Sequence, residues 1–130
     1  MDAFRAAVES GDHDAIERLL DDDVVFVSPV VYKPYHGKEI TTAILRAVTQ
    51  VFEDFTYVRE LGDESGHALV FTAKVGGREL TGCDFLRYNA EGKIEELMVM
   101  VRPLSGANAL QQAMAVRLGM DSAPGVAARG

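Results

Sequence analysis

The sequence predicts an α+β fold: a curved sheet of mainly antiparallel strands wrapped on N-terminal helices, with one further helix at the C-terminal end. Two observations carry this. Between Phe4 and Phe52, apolar residues recur mostly at helical spacing, interrupted by one short β-branched run. From Phe55 onward the period changes, and four strand patterns follow one another across short turn signals, which implies an antiparallel meander with one apolar face inside.

Taken in order, Phe4, Ala7 and Val8 share a helix face that stops at Gly11. Asp12 caps a second helix carrying Ile16, Leu19 and Leu20. Asp21-Asp22-Asp23 reads as a solvated acidic turn. The run Val24 to Ser28 is a strand. Pro29 and Pro34 bracket a loop that ends at Gly37. Ile40, Ile44, Ala47, Val48 and Val51 then trace one face of a helix over 38–52. Strands are expected from Phe55 to Leu61 and from Ala68 to Val75, the latter with Leu69, Phe71, Ala73 and Val75 on one side. Gly76-Gly77 is a hairpin turn. A last hairpin runs from Leu80 to Tyr88 and from Lys93 to Pro103, turning at Asn89-Ala90-Glu91-Gly92. Leu104, Ala107, Leu110, Met114 and Leu118 mark a terminal helix closed at Gly119. One domain over 1–120 is expected, with 121–130 as a flexible tail of small and polar residues.

A chain of 130 residues can bury a core without disulfides or metal. Thirteen basic against twenty acidic side chains give a net charge of −7, which repels phosphate backbones, so nucleic acid is not an expected partner. No apolar run approaches the roughly 18 residues that span a bilayer, and no signal peptide is expected. Cys83 is the single cysteine, which suits a reducing cytoplasm. Three scattered histidines, and no phosphate loop or nucleotide fingerprint, lead to the expectation of no metal and no cofactor.

The last hairpin is the place to look for a site. Counted by strict alternation, Asp84 and Arg102 share a face with Leu80, Leu86, Tyr88, Ile94, Met98 and Met100. Charge on a buried apolar face is costly unless paired or used. Uninterrupted pairing sets Tyr88 against Ile94, Asp84 against Met98 and Leu80 against Arg102. Asp84 and Arg102 then form either a structural ion pair or a working pair, with Asp84 as general acid or base and Arg102 as orienter or anion anchor. The opposite face, with Thr81, Cys83, Phe85, Leu97, Val99 and Val101, is too apolar for open water, so a homodimer through it is expected. Arg87 and Glu95 face each other as a rim pair. Tyr32, Tyr35 and His36 cluster in the proline-bracketed loop, where they either offer hydrogen-bonding rings to a ligand or cover the core edge. Tyr57 is a further candidate for ligand contact. Met98, Met100 and Met114 are pocket-lining candidates or core filler. His13 and His67 are expected on the surface.

Several short segments in this order resemble the nuclear transport factor 2-like superfamily, most of all its SnoaL-like branch. They are Ser10-Gly11-Asp12 between the first helices, Asp22-Asp23-Val24-Val25-Phe26 entering the first strand, and His36-Gly37-Lys38-Glu39-Ile40 opening the long helix. Gly82-Cys83-Asp84-Phe85-Leu86-Arg87-Tyr88, Glu91-Gly92-Lys93-Ile94 and Arg102-Pro103-Leu104 complete the set. The resemblance covers residues 2 to about 118. It implies a cone-shaped α+β barrel with a deep pocket, homodimers through the outer sheet face, and binding of a small apolar molecule. It leaves open an acid/base enzyme of isomerase, cyclase or hydrolase type, or a non-catalytic binding or dimerisation module. SnoaL-like cyclases use an acid on a late strand, and Asp84 stands at that position. Limonene epoxide hydrolases carry an arginine two residues before such an acid, where this chain has Gly82. Ketosteroid isomerases use an aspartate near the end of the first long strand and a tyrosine on a helix. Here that strand end is Ser28-Pro29, and the first two helices hold no tyrosine.

Overall fold

A computed structural model of the chain describes residues 2–119. The tail expected at 121–130 lies outside the described residues. The elements are α1 (Ala3–Ser10), α2 (His13–Leu19), β1 (Leu20–Val27), β2 (Tyr35–His36), α3 (Lys38–Val51), β3 (Glu53–Asp63), β4 (Gly66–Val75), β5 (Arg78–Tyr88), β6 (Ile94–Arg102) and α4 (Leu104–Arg117). Asp2 caps α1 by accepting the Arg5 N–H, and Asp12 caps α2 by accepting the Ala15 N–H. Each satisfies a donor that the first turn leaves open.

Six strands form one curved mixed sheet in the order β2-β1-β6-β5-β4-β3. β3 to β6 are an antiparallel meander, and β1 runs parallel to β6. The edge strands β2 and β3 do not pair with each other, so the sheet stays open. The helices lie on its concave side, where Phe4, Ile16, Ile44 and Leu110 meet Leu69, Phe71, Leu86 and Leu97. No helix among the described residues is long and apolar enough to cross a membrane.

Three sequence expectations are corrected. The triple aspartate is not a turn: it lies within β1, where the register against β6 shifts between Leu20 and Val25. The proline-bracketed loop contains the short strand β2, which pairs with β1. The third correction concerns β6. Tyr88 pairs with Ile94, but Arg87 pairs with Glu96, so Glu95 is an extra residue in β6. Past this bulge every side chain changes face. Asp84 stands opposite Val99, not Met98, and Arg102 stands opposite Thr81, not Leu80. Leu97 is fully buried, whereas Met100 is 53% exposed. Arg87 reaches both glutamates of the bulge, contacting Glu95 closely and Glu96 at 3.5 Å.

Candidate ligand pocket

Between the sheet and the helices lies a cavity of about 400 Å3. Its lining is mostly apolar: Phe4 and Val8 from α1, Ile44 and Val48 from α3, and Leu110 and Met114 from α4 face the sheet across it. Phe52, Phe55 and Phe71 form an aromatic floor. The Phe55 and Phe71 rings stack at 4.8 Å, and Phe52 lies 5.4 Å from each. The floor depends on Gly82, which pairs with Phe71 across the sheet. A Cβ at position 82 would fall 2.3 Å from the tip of the Phe71 ring. No side chain fits there while Phe71 keeps its place.

One buried carboxyl group interrupts this apolar wall. Asp84 follows two residues after Gly82 on the inner face of β5 and is 8% exposed. The Tyr57 hydroxyl, from β3, donates to Asp84 Oδ2 at 2.8 Å. Burial pushes the Asp84 carboxyl up to about 7, against the hydrogen bond from Tyr57, which favours the ionised form; the charge of Asp2 adds to the rise. Burial, and then the charge of Asp84, drive the Tyr57 phenol well above its usual range, so it stays a donor. At neutral pH the pair therefore holds a carboxyl near its midpoint beside a neutral phenol.

The other sequence candidates fall in different places. Tyr35 lines the cavity, its ring 6.2 Å from that of Phe26. Tyr32 is 87% exposed and His36 is exposed on β2; neither lines the cavity. Met98, Met100 and Arg102 lie on the outer face of β6, a consequence of the bulge at Glu95, and none lines the cavity. No ion pair joins Asp84 to Arg102, because the two side chains leave opposite faces of the sheet. The described cavity-lining residues include Met114, alone of the three candidate methionines, and Ser28, whose hydroxyl accepts the Val30 and Val31 N–H groups.

A second polar cluster lies beside the pocket, and sequence reasoning missed it. Buried Asp2 accepts from the Tyr88 hydroxyl and contacts Nδ1 of His67 closely. Its carboxyl is pushed up by burial, but bonds from Tyr88, His67 and the Arg5 N–H outweigh that and leave it below the usual range. His67 is thus half-buried and partnered, not a surface residue. The only local signal was an acidic residue three positions before Arg5, the spacing of a helix cap. No group of three or more potential metal ligands occurs among the described residues.

An open, curved six-stranded sheet with helices enclosing a cavity is the nuclear transport factor 2-like fold. Residues 1–97 match the SnoaL-like domain family, and the chain belongs to it. Among solved structures, it is similar to a steroid delta-isomerase from Pseudomonas aeruginosa, with 42% identity, 89% of this chain and 86% of that one covered, and a TM-score of 0.86. It is also similar to a protein with a cystatin-like fold from Silicibacter pomeroyi, with 36% identity, 92% and 85% covered, and a TM-score of 0.86. A nuclear transport factor 2-like protein from Cytophaga hutchinsonii shares the fold at 17% identity, with 79% and 87% covered and a TM-score of 0.61. No curated protein sequence matches the chain. Together these support a small-molecule-binding or isomerase-type family.

Proposed function

We propose that residues 1–120 act as an isomerase-type acid/base enzyme on a small, largely apolar molecule bearing one hydrogen-bonding oxygen, with Asp84 as the proton carrier. The observation that carries this reading is a single buried carboxyl group, poised at about 7 by burial, at the wall of an apolar cavity. A proton carrier works best when its own midpoint lies near the working pH. In its ionised form Asp84 takes a proton from the carbon beside the ligand's carbonyl, leaving an enolate conjugated with the neighbouring double bond. In the neutral form that results, it returns the same proton to the far carbon of that double bond, so the proton balance closes on Asp84. Tyr57 steadies the carboxyl throughout, and Tyr35 contributes a ring to the cavity wall. The steroid delta-isomerase neighbour supports a polycyclic ketone as the first probe. The lone free cysteine suits a cytoplasmic setting.

The test is turnover of a steroid β,γ-unsaturated ketone, followed by the ultraviolet absorbance of the conjugated α,β-unsaturated product. D84N is expected to lose about a hundredfold or more in kcat, the usual share of a general acid or base. Full turnover by a folded D84N variant overturns the reading.

One observation favours a second reading, a non-catalytic binding module. Among the described residues lining the cavity, the only other carboxylate is Glu9, which is exposed and paired with Arg5. No second free acid faces Asp84 across a ligand. Under this reading the probe binds and is recovered unchanged. In either case a homodimer is proposed through the outer sheet face, where Val58, Phe85 and Met100 are exposed.

A further inference from the structure

Behind the Tyr57–Asp84 pair stands a cation that the pocket chemistry has not used. The Arg5 guanidinium carbon lies 5.7 Å from the centroid of the Tyr57 ring, within range of a cation–π contact. Two carboxylates hold it there. Arg5 Nε donates to Glu9 Oε2 at 3.3 Å, and Nη1 donates to Glu60 Oε1 at 3.2 Å. The second oxygen of Glu60 accepts the Asp2 N–H at 3.1 Å, and the Asp2 side chain accepts the Arg5 N–H at 3.0 Å. Arg5 is thus tied through side chain and backbone to α1 and to β3, the strand that carries Tyr57.

We propose that Arg5 is a positioning residue for the pocket carboxyl: clamped by Glu9 and Glu60 across the Tyr57 ring, it fixes that phenol so that its hydroxyl donates to Asp84, and it strengthens the donation. The proposal rests on the reading of Asp84 as the working group of the pocket. A cation over the ring face draws electron density from the phenol and makes its O–H a better donor. A stronger donation to the carboxyl favours ionised Asp84. The charged and titratable groups facing this set are Asp2, Glu9, Glu60 and Asp84, with His67 and Tyr88 packed behind Asp2.

The experiment follows the side-chain carboxyl resonance of Asp84 by carbon-13 NMR across pH in the full, ligand-free chain. Wild type, R5K, R5M, Y57F and the Y57F/R5M double variant are compared, each with its Tm. In R5M the Asp84 midpoint is expected to rise by about half to one pH unit, roughly a three- to tenfold change in acid constant. R5K, which keeps the charge but loses the fork, is expected to move it less, a partial rescue. In the Y57F background the Arg5 substitution is expected to have little further effect, because the phenol that transmits it is gone. A lowered Tm with an unmoved Asp84 midpoint in R5M overturns the proposal, since a merely structural role predicts that result. Equal shifts with and without Tyr57 overturn it too. Arg5→Gln replaces R5M if that variant does not fold. The readout needs no substrate, so absent turnover leaves this test standing, and an unmoved midpoint leaves the turnover test standing.

Discussion

Asp84 carries a stability signature that can be measured without any ligand. Its carboxyl sits at about 7 in the folded chain against 3.8 for the free side chain. Between those values the folded state holds a proton that the unfolded state has released, so stability falls as pH rises through that window. The full shift corresponds to about 4 kcal/mol. Asp84→Asn has no proton to lose. It is therefore expected to be more stable than wild type at pH 8 by up to about 4 kcal/mol, with the gap closing near pH 4, as read from urea unfolding at each pH. Tyr57→Phe removes the bond that favours the ionised form and is expected to raise the Asp84 midpoint further. At this scale the sequence exposed Asp84, because an acid within an apolar alternation stands out in a local window. It did not expose the partner. Tyr57 lies 27 residues away on another strand, so only the fold brings its hydroxyl within 2.8 Å.

Elements were legible where period and turn chemistry agree, and illegible where one residue breaks the count. All four helices and the meander follow from helical and alternating patterns. Arg102, Met98 and Met100 were assigned to the inner face by an alternation that runs through Glu95, and the extra residue reverses it. Nothing apolar marks that bulge. Its visible trace is two adjacent glutamates opposite a single arginine. The register has a direct test by chemical denaturation. Leu97→Ala is expected to cost about 2–5 kcal/mol as a buried truncation, and Met98→Ala about 1 kcal/mol or less. A second test concerns the seat of α4. A Cβ at Gly106 would lie 2.8 Å from Cβ of Leu80 and 3.2 Å from the Glu79 carbonyl oxygen. Gly106→Ala gains helix propensity of about 1 kcal/mol, yet it is expected to lower Tm, because neither β5 contact has room to yield.

The whole molecule offers two apolar surfaces on one sheet, and only one is covered by its own helices. The concave face meets α1, α3 and α4 around the cavity, while Phe85 and Met100 remain exposed on the convex side. If a second copy covers that side, Met100→Lys is expected to shift the chain from dimer to monomer in sedimentation velocity while preserving its circular dichroism. An unchanged sedimentation coefficient removes the dimer surface from the account. The α+β class and the antiparallel meander were legible from element order, but not the parallel neighbourhood of β1 and β6, which depends on a crossover of more than sixty residues.

The aromatic floor also constrains what this protein can become. Position 82 holds glycine because the Phe71 ring occupies the space of its first carbon. A lineage that placed an arginine there, two residues before the acid, would first have to shrink Phe71. Truncating a buried phenylalanine to alanine costs about 3–5 kcal/mol, a large share of a small domain's stability. An arginine at 82 and the present Phe71 ring compete for one volume, so the two positions are expected to change as a pair.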